Sequence, residues 1–252
     1  MTIENSIKEL LIAGGALSKD SYIPLANAQG SLVGMAQLTK MMLYGDESLK
    51  VAITRVSDHH PLMVSPQEWL ASYNNGSYIV DGVAVIDSNM TFVIGKEETS
   101  LAWGVDDDAA GSTGNTYISG STNTYKAMQD FDGAARTAKI LAVTKYQETN
   151  RAPGWCNAYT TVTDYSSGWS YDKRKAGMWR LPTMGELTLM YSKKLKINAL
   201  MLLIGGTALS NSWYWSCTEY SSTSAWFLYF SYGLASHGSK KDSGRVRPVC
   251  AF

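Results

Sequence analysis

Between Trp213 and Tyr232, 9 of 20 residues are Trp, Tyr or Phe, and from Asn211 to Ser239 the sole formal charge is Glu219. A stretch so aromatic and so poor in charge must be enclosed by the fold, presented to a partner, or divided between the two. Its Tyr and Ser are also the residues antibody paratopes use, rings for rigid contact area and small hydroxyls for adaptable hydrogen bonds. Written as a strand, residues 226 to 232 place Trp226, Leu228 and Phe230 on one face and Phe227, Tyr229 and Ser231 on the other. The first set reads as core, and the second, mixed set suits an outward face. Gly233 supplies a turn, Ala235 to Gly244 reads as a polar loop, and Arg245 to Val249 as a last strand. Pro248 has no N–H to give a ladder, so that strand lies at an edge or ends there. Glu219, isolated among rings, needs hydrogen bonds from backbone N–H groups or from Arg245 or Arg247.

The rest of the composition narrows the function classes. Over 252 residues, 22 basic and 22 acidic side chains balance and form no basic stripe, which argues against nucleic acid. Cys156, Cys217 and Cys250 form no CxxC pair and no metal-ligand spacing, so a reducing compartment is expected rather than a disulfide framework. The apolar run Leu10 to Leu17 lacks a basic flank and is not a signal peptide, and no stretch reaches the ~20 apolar residues that span a bilayer. The chain is therefore expected to be made in the cytoplasm.

Taken in order, Ile3, Ile7, Leu10 and Leu11 fall at helical spacing before Gly14-Gly15. Residues from Ile23 read as extended with a turn at Gln29-Gly30, followed by a helix through Leu38 to Leu43. Residues 1–60 are too few for a core of their own, and an attachment or oligomerisation segment is expected there. A domain over 61–252 is expected to follow. Ser65 caps a helix with Pro66 at its first position and Asn74-Asn75-Gly76 stops it. Residues 78–80, 82–87 and 91–94 read as strands, 104–124 and 163–177 as loops, and Gly133 to Thr144 as a helix with Ala134, Ala138, Leu141 and Ala142 on its apolar face. Thr183 and Glu186 form a capping box, and the apolar stripe they open slips phase near Lys193, which predicts a kink or two helices before Gly205-Gly206. Helices and strands so segregated indicate an α+β domain.

Catalytic signatures are missing from this text. None of His59, His60 and His237 has a partner in sequence, and no nucleophile elbow, zinc motif or phosphate loop occurs. Asp106-Asp107-Asp108 lacks the alternating spacing of a calcium loop, so no metal or cofactor is expected.

Two segments together carry a resemblance. Trp179-Arg180-Leu181-Pro182-Thr183 with Glu186-Leu187, and Trp213-Tyr214-Trp215-Ser216 with Thr218-Glu219, Ala225-Trp226 and Arg245 to Val249, resemble the variable proteins of diversity-generating retroelements, nearest those of Bacteroides and their phages. The resemblance spans about residues 62–252 and implies a C-type lectin fold of the formylglycine-generating-enzyme type. It also implies that an error-prone copy of a template repeat rewrites the variable region, about 207–252, while framework positions stay fixed. Trp213, Trp215, Thr218, Glu219, Ala225, Trp226, Gly233, Arg245, Val246, Arg247 and Pro248 match that framework. Cys217, Tyr220, Ser222, Thr223, Ser224, Phe227, Tyr229, Ser231, Tyr232, Leu234, Ser236, His237, Ser239, Asp242 and Ser243 fall where the family varies, and are the ligand-binding positions it implies. Cys217 replaces the usual Ser, and Cys250 the usual Arg.

The resemblance implies a non-enzymatic protein that binds a protein or glycan on a target cell surface. Its N-terminal segment would join it to a phage tail or another assembly, and the segment IPLANAQGSLVG, similar to the openings of some tail proteins, favours a virion over a bacterial surface adhesin. Two alternatives stand beside this. One is a fixed lectin-fold structural tail protein. The other is a formylglycine-generating-type oxidase, whose reactive cysteine pair has a pattern that Cys217 and Cys250 do not match.

Overall fold

The computed structural model of the chain describes residues 22–26, 32–37, 47–88, 90–104, 123–162 and 174–252, the first two spans as backbone only. The expected N-terminal helix, the Gln29-Gly30 turn, the helix through Leu43 and the Asp106-Asp107-Asp108 cluster lie outside those residues. The extended reading after Ile23 corresponds to a hairpin, β1 (Tyr22–Ala26) against β2 (Leu32–Gln37), which forms a two-stranded sheet of its own.

Alternation builds the first five-stranded sheet. Strands β3 (Leu49–Arg55), β4 (Pro61–Val64), β5 (Tyr78–Asp87), β6 (Met90–Gly95) and β12 (Val249–Ala251) pair antiparallel in the order β12-β6-β5-β3-β4. One row of β-branched side chains crosses all five strands, Val64, Val51, Val83, Ile94 and Val249. The opposite face carries the smaller Ala52, Ala84, Val93 and Cys250, which pack on Tyr159 and Trp179. Strand β3 lies upstream of the boundary expected near Pro61 and pairs along its whole length with β5, so the sheet takes in the chain from Leu49 onward. Its Leu49, Val51 and Ile53 are the alternating signal for that strand.

The second sheet holds the aromatic stretch. Strands β7 (Thr99–Ala102), β8 (Trp213–Glu219), β9 (Ser224–Tyr229), β10 (Ala235–Ser239) and β11 (Ser243–Val246) run in the order β10-β9-β8-β11-β7, with β11 parallel to β8 and antiparallel to its other neighbour. The polar loop expected from Ala235 is thus a strand over its first five residues, held by β9 through backbone pairing that polar side chains do not oppose at a sheet edge. The last strand does break at its proline: β11 ends at Val246, Arg247-Pro248 crosses over, and β12 closes the other sheet.

Helices fill the space around both sheets. Ser65 and Glu68 cap the short α1 (Pro66–Glu68), which runs on as a π-helical stretch, Trp69–Tyr73. α2 (Thr124–Met128), α3 (Gly133–Leu141) and α4 (Ala152–Ala158) follow, then α5 (Met184–Ser192) and α6 (Lys194–Leu203), which meet at Lys193 where the apolar phase slips. α3 corrects the expected face: Ala134 and Ala138 are exposed, and Gly133, Arg136 and Ile140 are buried. Alanines gain little from burial, while the buried Asp130 carboxylate draws Arg136 inward at 3.0 Å. Met184, Leu187, Met190, Ile197 and Leu200 join the β-branched row of the first sheet and Tyr214, Trp226, Leu228 and Phe230 of the second in one core. A second core, on the other side of β8 and β9, combines Trp215, Cys217, Ala225 and Phe227 with Trp103, Ile140, Tyr146 and Cys156. This is the α+β class expected, and helices beside two antiparallel-rich sheets suit the lectin-type fold that the resemblance implies.

Candidate functional site

The framework around the aromatic sheet is tied by buried polar groups. Arg247, fully buried, donates to the carbonyls of Gly95 at 3.0 Å and Thr207 at 2.8 Å and to Glu98 Oε2 at 2.7 Å. Glu98 also accepts from the Tyr214 hydroxyl at 2.6 Å and lies 3.7 Å from Arg245. Burial and the neighbouring Glu98 push the Tyr214 hydroxyl up to about 12, so it stays a donor. Arg180 grips Glu186 with two nitrogens at 2.7 and 2.6 Å, and Glu186 in turn accepts the Thr183 N–H at 2.8 Å, the reciprocal bond of the capping box. Thr218 donates to Asp130 at 2.7 Å. Glu219 is satisfied as expected but by a different group, the buried ammonium of Lys240. Lys240 falls in the stretch whose sequence reads as a polar loop, and nothing in sequence distinguishes it from Lys241, which is exposed.

On this frame the fifteen positions divide. Ser222 and Thr223 in the β8–β9 turn, Ser231, Tyr232 and Leu234 in the β9–β10 turn, His237 on β10, and Asp242 and Ser243 leading into β11 are exposed. Tyr220, Ser224, Tyr229, Ser236 and Ser239 are half-buried. Together these positions line β10 and the turns at both of its ends, the free edge of the second sheet. Five residues of strand separate the two turns by roughly 17 Å.

Two positions do not reach the edge. Cys217 is wholly buried in the irregular stretch between Trp215 and Glu219, with its N–H donated to the Pro182 carbonyl at 2.8 Å. Burial holds its thiol protonated, far above the ordinary range. Phe227, placed outward by strand alternation, is 6 % exposed. Trp213 and Trp215 on β8 close over it at 4.6 and 5.7 Å, and Tyr229 follows at 5.1 Å, so the second face of β9 is also a core face. Gly244 lets Trp213 lie against the backbone of β11, where a Cβ would meet the indole at 2.1 Å.

The aromatic row surfaces at one end. Tyr232, 63 % exposed, stacks on Tyr229 with centroids 5.2 Å apart and planes 23° from parallel. Gly233 turns the chain beneath it with φ 74°, a conformation that costs side-chain-bearing residues, and a Cβ there would strike Tyr191. On the opposite face of the sheet, Tyr220 lies flat on His237 at 3.5 Å and meets Trp226 edge-on at 5.3 Å. His237 is exposed on β10, and His59 is buried in a turn at φ 55°.

Among the described residues no group of three or more His, Cys, Asp or Glu is placed to hold a metal, and no helix is long and apolar enough to cross a membrane. All three cysteines are free thiols and buried.

Residues 93–250 match the family model described as the Lcl C-terminal domain. No curated protein matches. Among solved structures the chain is similar to a fimbrial protein from Bacteroides ovatus, at 14% identity and a TM-score of 0.46 over 92% of this chain and 49% of that one. The chain thus spans about half the length of that protein.

Proposed function

The chain belongs to the Lcl C-terminal domain family, and from that premise we propose that it is a non-enzymatic binding protein whose contact surface is the rim of the second sheet, diversified by a retroelement. The observation that carries this reading is the division of the aromatic stretch. Trp215, Thr218, Glu219, Ala225, Trp226, Val246 and Arg247 are buried, whereas thirteen of the fifteen positions implied to vary are exposed or half-buried. A surface of Ser, Tyr, Leu and His side chains standing on an enclosed frame can change its chemistry while the fold is kept. The ligand is a protein or glycan on a target cell, and the protein works as a receptor-binding or adhesin-like part of a phage tail, joined to it through the residues that precede β3.

Deep sequencing of codons 205–252 with flanking DNA, from a natural population carrying this gene, tests the proposal. Substitutions are expected to cluster at the exposed positions, to trace to adenines in a nearby imperfect repeat, and to spare Trp226 and Arg247. Sparse, mostly synonymous change with no repeat or reverse transcriptase gene alongside overturns it.

A further inference from the structure

Lys240 lies in the turn that presents Asp242 and Ser243, yet its own side chain is 1 % exposed. Its ammonium pairs with Glu219 Oε1 and donates to the Ser222 carbonyl at 2.9 Å. Its backbone N–H donates to the Thr223 carbonyl at 2.9 Å, and its carbonyl accepts the Gly104 N–H at 3.0 Å. The ammonium also sits 4.6 Å from the centroid of the Trp103 ring, a favourable place for a cation. One residue therefore holds the two inward carbonyls of the turn whose outward side chains, Ser222 and Thr223, are exposed.

Such a pair is an unusual thing to bury. Desolvation lowers the Lys240 pKa, and Glu219 only opposes that effect. Buried ion pairs are commonly replaceable by apolar residues of like volume without loss of stability, and their best-attested use is to fix a registry. A methionine at 240 could fill the space, but it would leave the Ser222 carbonyl without its donor.

We infer that Lys240, anchored on Glu219, is a positioning residue that fixes the backbone of the 220–224 turn against the 239–243 turn. Side chains at 222 and 223 can then be exchanged without the surface changing shape. Its bearing on recognition rests on the reading of the rim as the contact surface.

The test uses the full chain carrying Lys240→Met with Glu219→Gln, so that neither charge is left unpaired. Amide exchange in residues 220–224 should rise at least tenfold while exchange in β3, β5 and β6 stays as in the wild type. A nanobody raised against the native chain and mapped to the turn by Thr223→Ala should lose at least tenfold in affinity, although the side chains it touches are unaltered. Unchanged exchange and unchanged nanobody affinity overturn the inference, as does a uniform rise in exchange across the chain. Should the double variant not fold, NMR of the wild-type protein decides: a slowly exchanging Lys240 ammonium with cross-peaks to Ser222 and the Trp103 ring is expected, and a freely exchanging one overturns the assignment. If the turn loosens as expected but natural variation avoids positions 222 and 223, the positioning role stands and the diversified-rim reading fails.

Discussion

Glu186 serves Arg180 through both carboxylate oxygens and the Thr183 N–H through one of them, and all three residues are buried or nearly so. Glu186→Ala therefore removes a helix cap and leaves Arg180 without its counter-charge. A loss of about 3–5 kcal/mol is expected, read as a lower urea midpoint. Thr183→Ala, which forfeits only the N-cap acceptor, should cost about 1 kcal/mol in the same experiment. Burial also sets the alkaline limit of the fold. It raises the Cys250 thiol from 9.0 to about 12, and with Glu98 it raises the Tyr214 hydroxyl from 10.0 to about 12. Both groups keep their protons in the native state at a pH where the unfolded chain releases them. Their contribution is thus complete below the unfolded values and is lost as pH rises through the folded ones. Urea midpoints should hold to about pH 9 and then fall towards pH 12. At mildly alkaline pH iodoacetamide should leave all three cysteines unmodified until denaturant is added, because each thiol is enclosed.

At the scale of elements, β9 separates what must be kept from what can change. Trp226→Ala opens a cavity in the larger core and is expected to cost about 3–5 kcal/mol. Substituting Ser222 or Thr223 by other polar residues should stay within about 0.5 kcal/mol, since those side chains face solvent; paired thermal melts check the contrast. Sequence made Trp226, Leu228 and Phe230 legible as core because their alternation faces a single enclosed side. It misplaced Phe227 because a strand with rings on both faces has no outward side for alternation to reveal, and only the arrival of Trp213 and Trp215 from β8 closes the second one. Strand β10 was illegible for the opposite reason: an edge strand is held by backbone bonds, and Ser-His-Gly-Ser gives no apolar period to read. The N-cap at Ser65 and the capping box at Thr183 were readable to the residue, because a cap is a local contract between side chain and neighbouring N–H groups.

For the molecule as a whole, the two sheets are joined where the chain crosses at Arg247-Pro248, with Arg247 reaching Gly95, Glu98 and Thr207 on the way. Pro248 announced that a strand would stop, but not that the next residues would close a different sheet, which is a long-range pairing with β6 and with Arg180. Deleting residues from Val249 onward is expected to expose the edge of β6 and abolish cooperative unfolding, measured by circular dichroism on heating. The candidate rim was named in sequence only through the resemblance, and its exposure comes from the structure; the Lys240–Glu219 support was not legible at all, since neither residue names the other in sequence. Strand β12 also lies downstream of every proposed contact position. For a gene segment rewritten as proposed, folding then acts as a proofreader. A copying error that slips the reading frame or inserts a stop anywhere in the rim also erases the closing strand. On that proposal, such a product is expected to fail to fold, and in-frame novelty is what remains able to bind.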